Sequence, residues 1–203
     1  MKQLRAVILA AGMSRRLGFN KLSLKINGES VIRMATLPFL SAGIEKVCVV
    51  TGMQTEEIEK ELKGSYVEFV QNRDHILGMA TSVVAAIPFM EGAKGVFFHL
   101  GDKPFVEKDM VLRMIDTYGE NKEKIIVPLF KGMKGHPVLM DVRRYRREIA
   151  LLTGDQGLRN IIEKNSQDVL FIEGNQGSLF DIDTVEDIVS LEERGYVIEK
   201  SQH

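Results

Sequence analysis

Six short apolar runs most restrict what this chain can become: LRAVILA, KVCVV, VEFVQ, GVFFHL, KIIVPLF and DVLFI. Each is nearly continuous in Val, Ile, Leu or Phe instead of alternating polar with apolar. A strand of that kind has no side to show to water, so it must be covered on both faces, as in a parallel sheet. The stretches between them supply the cover. ESVIRMATLPFLSAG, TEEIEKELKG, MATSVVAAIPFM, EKDMVLRMIDTYG and GDQGLRNIIEKN carry apolar residues three and four apart, which gives each helix one face to lay on a sheet. Strand alternating with helix predicts an α/β fold with an open, mainly parallel, Rossmann-like sheet, right-handed crossovers and helices on both faces.

The punctuation agrees. Asn27-Gly28 predicts a tight turn. Gly43 and Gly119 predict helix C-caps, and Thr184 an N-cap before VEDIVSLEERG. Pro38 predicts a kink or an early stop in its helix. No repeat, linker or low-complexity tract interrupts the pattern, so one domain over residues 1–203 is expected. A chain of that length buries roughly 70% of the surface its unfolded form exposes.

Composition excludes some classes of function. A net charge of -1 argues against general binding to nucleic acid or a membrane surface, so any anion site must be local. No run approaches the ~20 apolar residues that span a bilayer, and the first residues lack a signal-type apolar segment; the cytoplasm is the expected compartment. The single cysteine, Cys48, lies in KVCVV and reads as a buried hydrophobe. With one cysteine and four histidines, a disulfide framework or a zinc site is not expected.

The first strand run breaks into AAGMSRRLGFNK, small residues followed by three cations on a glycine loop. Neither common phosphate loop fits. Gly12 and Gly18 are separated by five residues and followed by Phe19-Asn20, unlike a Walker A loop, and no G-x-G-x-x-G occurs there. The physics still favours a polyphosphate. Gly12 permits close approach of a ligand, its neighbours can aim N–H groups at phosphate oxygens, and Arg16 and Lys21 supply charge. A solvated loop carrying Arg15, Arg16 and Lys21 is the competing reading. A second strand run ends in Gly101-Asp102-Lys103-Pro104. In open α/β sheets ligands sit at the carboxyl ends of strands, and a carboxylate there suits Mg²⁺, which takes hard oxygens and keeps waters and phosphates. The competing role for Asp102, a helix cap, is weakened by Pro104 and Phe105, and Glu107 is better placed to start that helix.

Six motifs in order then carry a resemblance: LAAGMSRRLGFNK, NRDHILGMATSV, GDKP, KGHPVLM, GDQGLR and DIDTVEDI. Over nearly its whole length the chain resembles the nucleotidyltransferases that join a nucleotide to the molybdenum cofactor, and most closely their cytidylyl members. The resemblance implies a nucleotide-diphospho-sugar transferase-like fold. It places a triphosphate on the loop of Leu9, Ala10, Ala11 and Gly12, with Arg16 and Lys21 as its cations. Gly78, Thr81, Ser82 and Gly101 lie along the nucleotide. Asp102 matches the magnesium aspartate, and Asp183 falls where the broader fold has a second metal ligand. His136, Pro137, Asp155 and Arg159, with Gly135 and the rest of the 154–159 segment, lie towards the pterin acceptor. Two positions depart from the family's pattern. Leu17 replaces a frequent methionine, a volume-conserving change. Lys103 replaces the glutamine of GDQP and sets a cation beside the expected metal site.

The reaction so implied is attack by the terminal phosphate of molybdopterin on the α-phosphorus of CTP, with Mg²⁺ as cofactor and pyrophosphate released. Arg16, Lys21 and Asp102 are its expected catalytic residues. The nucleophile, with a second pKa near ~6, needs no general base. Ala11 points to CTP over GTP, because its methyl crowds a purine more than a pyrimidine, a lever of about 1–3 kcal/mol at most. The alternatives are a guanylyl or sugar-phosphate nucleotidyltransferase of the same fold, or a non-catalytic nucleotide- or cofactor-binding chaperone. A monomer or weak dimer is expected, with transient contact to a receiving molybdoenzyme or its chaperone.

The remaining signals have blander readings. His136 in KGHPVLM, before a strand, reads as a substrate contact; His75 and His99 read as structural. RRYRRE, residues 143–148, reads as a solvated helix face with acidic neighbours such as Asp141 and Glu148, over RNA binding or partner docking. The ten methionines are scattered core filler, and SQH at the end a frayed tail.

Overall fold

A computed structural model describes residues 3–14 and 16–200; Arg15 and the 201–203 tail lie outside the described residues. The strands are β1 (Leu4–Ala10), β2 (Lys25–Ile26), β3 (Glu29–Ser30), β4 (Lys46–Thr51), β5 (Glu68–Gln71), β6 (Gly95–Leu100), β7 (Ile125–Phe130), β8 (Met133–Lys134), β9 (Val138–Asp141), β10 (Val169–Glu173) and β11 (Ile198–Glu199). The helices are α1 (Val31–Ser41), α2 (Thr55–Glu61), α3 (Met79–Ala85), α4 (Ile87–Met90), α5 (Lys108–Glu120), α6 (Val142–Ala150), α7 (Arg159–Lys164), α8 (Gln176–Leu179) and α9 (Val185–Glu193).

The main sheet runs β10-β7-β9-β6-β1-β4-β5, with β8 paired to β7. The six apolar runs form β1, β4, β5, β6, β7 and β10. Neighbours among them pair in parallel, as continuous apolar sequence requires. β9 is the exception. It enters between β6 and β7 antiparallel to both, with Val138 opposite Phe98 and Leu139 opposite Ile126. Its start therefore lies at the edge where β1, β4 and β6 end.

Period-two alternation sends successive side chains to opposite faces. Ala6 and Ile8 join Val49, Phe97 and Leu139 in one core under α1, α5 and α9. Val7 joins Cys48, Val50, Phe98 and Met140 in the other, under α3, α4, α6 and α7. Cys48 is fully buried in β4, and burial pushes its thiol up to about 12, which makes it a packing residue with no thiolate to offer.

Several local expectations hold. Asn27 and Gly28 both have positive φ, 52° and 83°, and join β2 to β3. Gly43 (φ 80°) closes α1 with its N–H on Leu40 O. Thr184 caps α9 in a full capping box with Asp187. Two expectations are corrected. Gly119 does not cap a helix: α5 runs through it to Glu120, and Asn121 ends it, with its side-chain amide on Thr117 O at 2.9 Å. MATSVVAAIPFM is not one helix but two, because Pro88 has no N–H to continue the ladder and sits in the first turn of α4. Pro38 is tolerated inside α1, which stops within a turn of it.

A second, three-stranded sheet, β11-β2-β3, was not foreseen. It fastens Val197 to Asn27 by two hydrogen bonds of 2.8 Å, just past the glycine loop. The arginine run forms most of α6, whose N-terminus Asp141 caps. Three of its four arginines meet Asp141, Asp168 and Glu91, with Glu123 also near Arg144, and Glu148 pairs instead with Lys164; the run is largely the acid-flanked face that the sequence suggests. No helix among the described residues is long and apolar enough to cross a membrane.

Candidate active site

The carboxyl ends of β1 and β6 open onto a cleft. Its walls include Leu9 to Ser14, Arg16, Lys21, His75, Gly78, Met79, Ser82, Asp102, Asp155 and Asp183. The loop after β1 leaves the strand through Ala10 and Ala11, turns at Ser14 (φ 46°) and Gly18 (φ 72°), and brings Lys21 back beneath itself. The Ser14 hydroxyl receives the Lys21 N–H at 3.2 Å, which holds that return. Gly12 faces open space: a Cβ built there would meet no atom within 4 Å. Its lack of a side chain is therefore not required by the protein's own packing, and the room it leaves belongs to the cleft.

At the base of the cleft two carboxylates converge on one ammonium. Lys21 Nζ donates to Asp102 Oδ2 at 2.6 Å and to Asp183 Oδ1 at 2.9 Å. Arg16 pairs with the other oxygen of Asp183. The Lys21 side chain is only 9% exposed. Burial works to lower its pKa, but the Asp102 and Asp183 carboxylates outweigh burial and hold the ammonium above its ordinary value. Asp102 Oδ1 is buried and has no partner. An unpaired carboxylate oxygen is costly out of water, so this atom has the capacity to take a cation as its partner. Among the described residues no group of three or more His, Cys, Asp or Glu side chains could hold a metal by itself. Two carboxylates suit Mg²⁺, which takes one or two from protein and fills its octahedron from phosphates and water.

The far wall comes from Gly78, Met79 and Ser82 at the start of α3. Gly78 takes φ 115°, and a Cβ there would lie 2.5 Å from Gly154 O. Only glycine lets the 154–155 loop pack against this helix start, where Asp155 Oδ1 accepts the Met79 N–H. Beside this cleft, sharing Leu9, Met79 and Leu100, lies a second one. It is mainly apolar, with Lys134, His136 and Arg159 among its polar groups.

Most of the expected site residues thus converge. Leu9, Ala10, Ala11, Gly12, Arg16, Lys21, Gly78, Ser82, Asp102 and Asp183 line the first cleft, and His136 and Arg159 the second. Four stand elsewhere. Thr81 spends its hydroxyl on Gly78 O and Asp74 O and does not face the cleft. Gly101 is a packing glycine, its would-be Cβ 3.0 Å from Ile32. Pro137 is buried behind His136, and Asp155 belongs to the first cleft, not the second.

Three residues carry more than their sequence suggested. His75, read as structural, lines the first cleft against Gly52, with Nδ1 on Asn72 O at 3.1 Å. Asn72, within NRDHILGMATSV, is buried and spans the Thr81 and Ser82 hydroxyls with its amide. The apolar run before it marks Asn72 as a strand-end residue, the one signal available. Lys103 does not place its cation at the carboxylates: it turns away, donates to Leu179 O and pairs with Asp181 Oδ2 at 3.5 Å. His99 is the core histidine expected, donating from Nε2 to Lys103 O at 3.0 Å.

The family model for the MobA-like NTP transferase domain matches residues 6–169. The chain belongs to the MobA-like NTP transferase family. It is 27% identical to the molybdenum cofactor cytidylyltransferase of Escherichia coli K12, over 96% of this chain and 98% of that one. Among solved structures it is similar to Rv0371c from Mycobacterium tuberculosis, with a TM-score of 0.82, 26% identity and coverage of 95% and 98%; that protein has also been solved in complex with manganese. A nucleotidyl transferase from Methanothermobacter, at 23% identity, shares the fold with a TM-score of 0.80 over 96% of this chain and 98% of that one. The mostly parallel sheet with helices on both faces is thus the nucleotide-diphospho-sugar transferase-like architecture that the sequence predicts. Asp183, which shares Lys21 with Asp102, lies beyond the matched segment.

Proposed function

We propose that this protein is a Mg²⁺-dependent cytidylyltransferase that transfers CMP from CTP to the terminal phosphate of a molybdopterin-type cofactor and releases pyrophosphate. The observation that carries the reading is the Asp102–Lys21–Asp183 cluster at the base of the first cleft, under a glycine loop, with the second cleft adjoining through Leu9, Met79 and Leu100. A triphosphate in the first cleft and an acceptor in the second would be neighbours across the shared Leu9, Met79 and Leu100 wall. The similarity to the Escherichia coli enzyme supports the acceptor and the base.

The chemistry asked of the chain is positioning and charge neutralisation. Lys21 and Arg16, each now paired to a carboxylate, turn to the triphosphate and offset the charge that grows on the leaving pyrophosphate. Asp102 and Asp183 are then free to hold Mg²⁺. A Mg²⁺ held there would supply Lewis-acid charge neutralisation to the phosphates. Backbone N–H groups of the loop around Gly12 bind the phosphate tail, and Ala11 narrows the space for the base. No side chain removes a proton, because a phosphate monoester is largely ionised at neutral pH.

The test supplies molybdenum-loaded molybdopterin and Mg²⁺, offers CTP, GTP, ATP and UTP separately, and measures pyrophosphate. Release with CTP alone is expected. Release with GTP alone would keep the architecture and overturn the base. Silence with all four, in protein that still binds a triphosphate, would overturn the acceptor or the catalysis.

A further inference from the structure

The two carboxylates that share Lys21 come from places 81 residues apart, and something must set their spacing. Asp102 follows β6 on a tight turn, closed by Lys103 N on Leu100 O at 3.2 Å. Asp183 lies on the irregular strand between α8 and α9. On its C-terminal side it is secured by the α9 cap, since its N–H donates to Asp187 Oδ2 at 2.9 Å. On its N-terminal side, beside the Phe105–Phe180 ring contact, two polar links among the described residues tie residues 179–182 to the Asp102 turn. One is the backbone bond from Ile182 N to Asp102 O, at 3.1 Å. The other is Lys103.

Lys103 is 6% exposed, an unusual place for a lysine. Its backbone carbonyl is fixed by His99 Nε2, itself fully buried in β6. Its ammonium, as described, reaches Leu179 O at the end of α8 and pairs with Asp181. One residue thus grips the Asp102 turn with its main chain and the Asp183 strand with its side chain.

We propose that Lys103 is a positioning residue for the metal site: it sets the separation of the Asp102 and Asp183 carboxylates by clamping the 179–183 strand to the turn after β6. The inference rests on the metal reading given under Proposed function. It also reverses the role its sequence position suggests, a cation next to the metal. Charge alone would make Lys103 repel a divalent ion; clamping makes it assist one. The two roles predict opposite signs.

The test uses Mn²⁺ as the probe, with its binding followed by electron paramagnetic resonance in the presence of CTP, no acceptor and no turnover. Lys103→Met keeps the apolar stem and removes the ammonium. Lys103→Gln keeps a donor for Leu179 O but loses the pair with Asp181. Mn²⁺ dissociation constants are expected to rise at least tenfold in Lys103→Met and by an intermediate factor in Lys103→Gln. CTP affinity measured without metal is expected to stay within about twofold, which a general loosening of the fold would not allow. Thermal melts identify any variant that fails to fold, and the other variant then decides. Mn²⁺ binding equal to or tighter than wild type in either folded variant would overturn the clamp. Absence of Mn²⁺ binding by the wild type would instead overturn the metal reading itself.

Discussion

Lys21 is held by two acids that belong to different parts of the chain, and its geometry makes Asp102 the residue to change first. Asp102→Asn keeps the shape and a hydrogen-bond acceptor, and Asp183 still holds the ammonium. Turnover is expected to fall about 10²–10³-fold, the usual consequence of losing one electrostatic stabiliser, while the melting temperature moves by only a few degrees. A large fall in melting temperature with activity retained would return Asp102 to a structural role. His99 has a different signature. It is fully buried, and burial chiefly, with His136 and the Lys103 charge adding to it, pushes its pKa down to about 3. The neutral ring is the native form, so its contribution to stability is complete above the unfolded value near 6.5 and is lost as the pH falls towards 3. The slope is about 1.4 kcal/mol per pH unit over that window. His136, lowered to about 4 with burial as the first cause, acts in the same direction. Urea midpoints measured between pH 7 and pH 4 check this, and His99→Gln should flatten the dependence.

At the scale of elements, the two glycines of the cleft have opposite reasons to be glycine. Gly78 is required by the protein: its positive φ and the 2.5 Å approach to Gly154 O leave no place for a Cβ. Gly78→Ala is expected to cost about 2 kcal/mol or more of stability in denaturant melts, as the 154–155 loop is forced off α3. Gly12 is required by nothing in the protein. Gly12→Ala should leave the melting temperature unchanged and weaken CTP binding at least tenfold by calorimetry; equal binding would remove the loop from the triphosphate. The sequence could not separate these two, because both are simply glycines beside small residues. It did reveal all six parallel strands, since a strand covered on both faces must be apolar throughout. It hid the direction of β9, because antiparallel placement inside a buried sheet leaves the same apolar signature. It also hid where Lys103 points, since a lysine's long stem lets the charge act far from its own backbone. That Asp102, Lys21 and the glycine loop share one cleft could be anticipated, because phosphate and metal chemistry favours those residue types beside strand ends. The sequence could not show that His75 lines the cleft while the Thr81 hydroxyl turns from it, because that is a matter of one rotamer and one turn.

Over the whole molecule, the small sheet joins sequence positions that the main sheet keeps apart. β11 pairs with β2, Val197 and Asn27 exchange two hydrogen bonds, and Lys200 sits over the Phe19 ring, all within a few residues of Lys21. Removing residues 196–200 is therefore expected to weaken CTP binding as well as to lower the melting temperature, although the deleted residues lie outside the cleft. An unchanged dissociation constant would show that the loop seats itself without them. The same connection imposes an order in time. A ribosome releases the glycine loop first, and the aspartate that completes its ion pairs and the strand that staples it emerge about 160 to 180 residues later, several seconds at ~20 residues per second. Until then Lys21 has Asp102 alone and Arg16 lacks its Asp183 partner, and a nascent chain that captured a nucleotide could not yet act on it.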